Sequence, residues 1–214
     1  MRTSLLAMLT VRHELELSPL RPPVTVELSV PDAPRGVVII ADDGSAALRP
    51  RNLGLAWCLH QASFATVAAC EGLGAWCRSP LLHGRLLIAA TRWALGTPQC
   101  RGLKLGLLGL GRGSVAALVA AALAPATVKA VVAFDTQPAQ AKGPTARVGA
   151  PTLLMTVRDD DVARRAAAQV FERLPRGSAL SLLDGVEQVR DPMALLVDIA
   201  RPTTRWFERA LCPA

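Results

Sequence analysis

Lys104-Leu105-Gly106-Leu107-Leu108-Gly109-Leu110-Gly111-Arg112-Gly113-Ser114-Val115-Ala116-Ala117-Leu118 is the stretch on which the fold turns. It opens as an unbroken apolar run, which suits a strand buried on both faces of a parallel sheet. It closes as an Ala- and Leu-rich helical pattern, and the glycines between mark a sharp turn. Two motifs compete for that turn. The nucleophile elbow G-x-S-x-G needs small flanking residues so that a strained strand-to-helix turn can expose its central side chain. The frame Gly109-Leu110-Gly111-Arg112-Gly113 matches it, with glycine where the nucleophile belongs. The dinucleotide fingerprint G-x-G-x-x-G is nearly matched by Gly109, Gly111 and Ser114, with Asp135 ending the next strand where a ribose-binding acid is expected. Its third glycine is absent. A structural reading also stands: the glycines simply let the helix pack closely on the strand.

Outward from this unit, strand-like and helical stretches alternate. Strands are expected at Val11–Leu17, Val24–Val30, Gly36–Ala41, Thr66–Cys70, Lys104–Leu110, Lys129–Phe134, Thr152–Val157 and Ala179–Leu183. Helices are expected at Pro50–Gln61, Pro80–Leu95, Ser114–Leu123, Asp161–Leu174 and Pro192–Leu211. Prolines 19, 22 and 23 separate the first two strands, which reads as an antiparallel hairpin at a sheet edge. The pattern predicts one α/β domain over residues 1–214. Its sheet is doubly wound and mostly parallel, with helices on both faces and an N-terminal antiparallel hairpin. Ligands in such folds bind beyond the carboxyl ends of the strands. The informative loops therefore follow Ala41, Leu110, Phe134, Val157 and Leu183.

Composition narrows the function. Hydrophobic residues make up 51% of the 214 and charged ones 19%, a globular balance that excludes a disordered chain. No apolar stretch is long enough to span a bilayer. Met1–Thr10 only imitates a signal peptide, because the charged alternation of Val11–Leu17 follows without a small-residue cleavage site. A cytoplasmic protein is expected. The net charge of +7 raises nucleic acid as a partner, but the arginines are scattered, tyrosine is absent and aromatics are only 4% of residues. Base-stacking platforms need aromatics beside basic clusters, so nucleic-acid binding is not expected. The cysteines at 58, 70, 77, 100 and 212 form no CxxC pair and do not group with the histidines. Neither a metal, a cofactor nor a disulfide framework follows from them.

The order and spacing of several segments extend the argument beyond the turn. Gly36-Val37-Val38-Ile39-Ile40-Ala41 is followed by Gly44-Ser45 and Arg49-Pro50-Arg51-Asn52. Ala89-Ala90-Thr91-Arg92-Trp93, the Gly-rich turn, Ala150-Pro151-Thr152-Leu153-Leu154, Asp191-Pro192-Met193-Ala194-Leu195 and Arg205-Trp206-Phe207 come after. In this arrangement the chain resembles α/β-hydrolases of the dienelactone-hydrolase-like group, including those fused to phosphoribosyltransferase domains. The similarity runs from about Val24 to Leu211.

The resemblance implies an address for each catalytic residue, in the order nucleophile, acid, histidine. The nucleophile position is Gly111, which has no side chain to form a covalent intermediate. The acid falls at Asp159 or Asp160. The histidine address is held by Glu187, and His13, His60 and His83 all precede the elbow. Relatives carry a His-Gly-type oxyanion loop where this chain reads Ala41-Asp42-Asp43-Gly44-Ser45, and two carboxylates there oppose a developing negative charge. A Gly-Gly-Arg-Pro-like turn becomes Asp135-Thr136-Gln137-Pro138. The resemblance thus implies a hydrolase scaffold without its chemistry. A ligand pocket is expected at Asp42, Asp43, Gly44, Arg112, Ser114 and Asp135, with Arg112 and the helix start suited to a small carboxylate or phosphate. Two alternatives stay open. One is an active hydrolase with a displaced nucleophile at Ser114, Ser45 or Cys70, and the other is a dinucleotide-binding domain. Oligomeric state is not legible.

Overall fold

The computed structural model describes residues 9–16, 22–42, 44–45, 49–136, 143, 145–158, 161–183 and 194–212. Its strands are β1 (Leu9–Leu15), β2 (Val24–Val30), β3 (Gly36–Ala41), β4 (Phe64–Glu71), β5 (Leu105–Leu110), β6 (Val128–Phe134), β7 (Thr152–Val157) and β8 (Ala179–Leu183). Among the described residues the helices of eight residues or more are α1 (Arg49–Gln61), α2 (Pro80–Gly96), α3 (Arg112–Leu123), α4 (Asp161–Phe171) and α5 (Ala194–Leu211). The strands form one eight-stranded sheet in the order β1-β2-β4-β3-β5-β6-β7-β8. β1 pairs antiparallel with β2, and β2 antiparallel with β4; from β4 onward every pairing is parallel.

Alternation along the central strands sorts side chains into two cores. Val37, Ile39, Leu105 and Leu107 face a core closed by α2 and α3. Val38, Ile40, Leu108 and Leu110 face the opposite core, shared with Leu55 and Leu59 of α1 and Phe207 and Leu211 of α5. Every residue of β3 and β5 is buried, as a sheet covered on both faces requires. β2 instead alternates buried with half-buried positions, the mark of a strand near the open edge.

The expected elements are all present; Val24–Val30, Gly36–Ala41, Thr152–Val157 and Ala179–Leu183 have the expected ends, and the others are shifted. β1 runs Leu9–Leu15, because Leu9 pairs across to Val30 and Leu15 to Val24, so register with β2 fixes both ends. β4 begins at Phe64, where Gly36 of β3 offers a parallel partner. α3 starts at Arg112, directly after the turn. α4 ends at Phe171; Glu172, Arg173 and Leu174 continue in turns and Pro175 stops them. The expected start of the last helix at Pro192 lies outside the described residues.

Candidate functional site at the β5–α3 turn

Each glycine of the β5–α3 segment meets a separate steric demand. Gly106 leaves room for Phe207: a Cβ there would stand 2.7 Å from its Cδ1. Gly109 lies under the start of α3, where a Cβ would fall 2.8 Å from the Ser114 nitrogen. Gly113 abuts the end of β3, where a Cβ would come 2.7 Å from the Asp42 nitrogen and closer still to the Ala41 carbonyl. Gly111 sits between them at φ 56° and ψ −122°, a conformation that L side chains rarely adopt. This is the sharp, strained strand-to-helix turn that the elbow motif demands. Its amide is tied down by donation to the Phe134 carbonyl at 3.0 Å.

The dinucleotide alternative does not fit this geometry. Gly109, the first glycine of the fingerprint, faces the backbone of Gly113 and Ser114 rather than open space for a pyrophosphate, and Ser114 at the third position is buried and bonded to the Gly111 carbonyl. The strand order also lacks the 3-2-1-4-5-6 arrangement of the dinucleotide-binding fold.

Ser114 is fully buried, and its hydroxyl donates to the Gly111 carbonyl at 2.6 Å. It closes the turn internally. Arg112 is exposed at the first position of α3, where the backbone N–H groups precede any intrahelical acceptor. Asp135 is exposed, with a left-handed φ of 54° at the end of β6. Beside it, the Thr136 hydroxyl is buried with no hydrogen-bond partner.

Across the turn, the loop after β3 is organised by Asp42. Its carboxylate accepts from the Gly44 amide at 2.8 Å and from Asn52 Nδ2 at 2.6 Å. Asn52 Oδ1 in turn accepts from Nε and Nη2 of Arg51, each at 3.2 Å. Arg51 and Asn52 are both buried. The Asp42 backbone carbonyl accepts the Cys77 thiol hydrogen at 3.6 Å. The Gly44 amide, a loop N–H of the kind that lines an oxyanion hole, is thus turned to a carboxylate of the protein's own. The expected site residues Asp43, Asp159 and Glu187 lie outside the described residues, and nothing is described of the Cys70 side chain. Arg51, Asn52 and Cys77 are the residues that sequence reasoning did not assign to the site. The pairing of Arg and Asn in one helical turn beside an acidic loop was the available signal for the first two.

The three histidines occupy separate settings. His13 stacks on Trp93, with ring centroids 5.0 Å apart. His60 is buried in the last turn of α1. His83 is buried against a small internal cavity lined by Val26, Ile39, Leu73 and Leu86. Desolvation lowers its pKa to about 4 and keeps the ring neutral. Burial raises the Cys58 thiol, and it raises Cys100 as well. Among the described residues no group of His, Cys, Asp and Glu could hold a metal ion, and no helix is long and apolar enough to cross a membrane.

A mostly parallel eight-stranded sheet, helices on both faces and an elbow between β5 and α3 define the α/β-hydrolase fold. The comparisons narrow this. A dienelactone hydrolase from Anabaena variabilis superposes with a TM-score of 0.81 at 28% identity, covering 94% of this chain and 99% of that one. A cold-adapted esterase from an Arctic intertidal metagenomic library superposes at TM-score 0.77 over 97% of this chain and 96% of its own, at 15% identity. The chain thus has an α/β-hydrolase fold similar to that of a dienelactone hydrolase. By sequence it is 32% identical over 197 residues to proteins of two Mycobacterium tuberculosis strains, each named "Putative phosphoribosyl transferase". The match covers 89% of this chain but 44% of theirs, so the chain spans less than half the length of these relatives. No family model matches.

Proposed function

We propose that this protein keeps the dienelactone-hydrolase-like scaffold and its carboxyl-edge pocket without the hydrolytic chemistry, and binds a small anionic ligand there. One observation carries the reading: the elbow backbone is fully formed, and Gly111 stands at its apex. Covalent hydrolysis needs a side-chain nucleophile at that apex, a base to activate it and donors for the oxyanion. Glycine supplies no nucleophile. No histidine follows residue 83 in the chain, so none succeeds the elbow as the triad order requires.

The substitutes fare poorly on physical grounds. The Ser114 hydroxyl is buried and spent on the Gly111 carbonyl. Cys77 is buried, with its sulfur 3.6 Å from the Asp42 carbonyl oxygen. Ligand binding is supported by the first two amides of α3, at Arg112 and Gly113, which beside the Arg112 guanidinium suit a carboxylate or phosphate; the Ser114 amide is already bonded to the Gly111 carbonyl at 3.1 Å. The Thr136 hydroxyl, buried without a partner in the loop after β6, offers a further hydrogen bond at the same sheet edge.

The test is turnover of p-nitrophenyl acetate, p-nitrophenyl butyrate and a dienelactone by the purified protein. The expected result is a rate equal to the buffer blank. A rate above it that Ser45→Ala or Cys77→Ala abolishes would reverse the reading and assign a displaced nucleophile.

A further inference from the structure

α1 and α5 meet on one face of the sheet, and their close approach is set by Gly54, where a Cβ would lie 2.5 Å from Leu196 Cδ2. Beside that contact runs a groove of about 720 Å³ lined by Gly54, Trp57, Cys58, Leu196, Val197 and Ala200, with Arg201 and Arg205 at its polar border. Large apolar side chains stand open to solvent around it: Leu53 is 58% exposed, Trp57 64% and Val197 70%. Leu53 and Trp57 are one helical turn apart on α1, so with Val197 they present a continuous apolar stripe.

Arg201 and Arg205 are exposed and spaced i, i+4 along α5. Neither forms an ion pair among the described residues, whereas Arg209 stacks over Trp206 and Glu208 pairs with Arg35. α1 contains no acidic residue at all. α5 carries two carboxylates, Asp198 one turn before Arg201 and Glu208, which pairs with Arg35, against three arginines at 201, 205 and 209. The groove therefore joins an apolar floor to a rim with an excess of positive charge.

We propose that this groove docks an acidic amphipathic helix of a partner polypeptide. A third helix laid between two others buries an apolar face at i, i+3, i+4 and i+7, and its flanking carboxylates meet Arg201 and Arg205. Charge complementarity selects this occupant. A second copy of the chain would bring the same arginines to the contact, with only Asp198 and the Arg35-paired Glu208 of α5 to answer them, because α1 holds no carboxylate. Single-stranded nucleic acid would satisfy the arginines, but only Trp57 would stack its bases, and the aliphatic floor offers them no hydrogen bonds. The mycobacterial relatives add a separate argument. Their chains extend for more than half their length beyond the matched region, so this fold operates there beside further polypeptide.

The probe is a synthetic helical peptide with leucines at i, i+3, i+4 and i+7 and glutamates on both flanks. A twin carries lysine for every glutamate. Binding is read by fluorescence anisotropy of labelled peptide against the intact protein, with sedimentation velocity run in parallel. The acidic peptide is expected to bind at least ten-fold tighter than its twin, and more weakly as salt rises. Trp57→Ala and Val197→Asp should each weaken it at least ten-fold. The Arg201→Glu, Arg205→Glu double variant should reverse the charge preference. These positions are exposed, and unchanged urea midpoints will show that the variants fold. Equal binding of the two peptides, or binding of neither, overturns the proposal. So does a dimer dissociated by Val197→Asp, which makes a second copy the occupant. Displacement of the acidic peptide by a single-stranded oligonucleotide in a Trp57-dependent manner assigns the groove to nucleic acid and overturns it equally.

Discussion

Replacing Gly113 by alanine tests the elbow's packing at its tightest point. The new Cβ would enter the van der Waals envelope of the Ala41 carbonyl and lie 2.7 Å from the Asp42 nitrogen. Carbon contacts are comfortable only near ~3.5–4.0 Å, so the overlap is on the order of 1 Å. Every atom it meets is backbone, and none can rotate aside. Ala41 pairs with Gly109 in the parallel ladder, and Gly111 is held to Phe134 at 3.0 Å. Relief requires the elbow to move off β3, straining those bonds at about 1 kcal/mol each on top of an overpacking cost of about 1–3 kcal/mol. The expected loss is about 3 kcal/mol, which lowers Tm by roughly 6–12 °C in a domain of this size. Urea denaturation followed by circular dichroism measures it. Gly96→Ala, where no heavy atom lies within 4 Å of the built Cβ, is the control and should gain about 0.5 kcal/mol. A Gly113→Ala protein within 1 kcal/mol of wild type would refute the close elbow–β3 contact.

His83 makes stability depend on pH. Its pKa is about 4 in the fold against 6.5 for the free side chain, so between these values the unfolded chain binds a proton that the folded one does not. Its contribution is complete above pH 6.5 and is lost as pH falls toward 4, up to about 3 kcal/mol. His83→Leu should flatten that part of the profile relative to wild type in urea titrations, and an unchanged slope would count against a buried neutral ring. Asn52→Leu removes the acceptor shared by two Arg51 donors and a donor to Asp42, and is expected to cost about 2 kcal/mol in the same denaturation assay. Adding Arg51→Met should recover part of that loss, because the buried guanidinium goes with it; additive losses would contradict the network.

The fold was legible because its central strands are apolar throughout and its helices carry apolar faces, two patterns that hold regardless of loop detail. Thr152–Val157 and Ala179–Leu183 have the expected ends for this reason. The β1 limits were not legible, since Leu9 and Leu15 are placed by their partners in β2 rather than by any local signal. The elbow could be read because steric need selects glycine at 109 and 113 whether or not chemistry survives at 111. What the sequence hid was the Arg51–Asn52–Asp42 chain, which forms only when α1 folds back against the end of β3. It also hid the α1–α5 groove, whose walls lie more than a hundred residues apart in the chain. The scattered arginines gave no sign that two of them would flank an exposed tryptophan.

The central claim is that Gly111 leaves the elbow formed and chemically silent. Intact-mass spectrometry after incubation with a fluorophosphonate tests it most directly, on wild type and on a Gly111→Ser, Glu187→His variant. The account predicts no adduct on wild type and a single adduct on the variant, mapped to position 111. An adduct on wild type, at any serine, would contradict it.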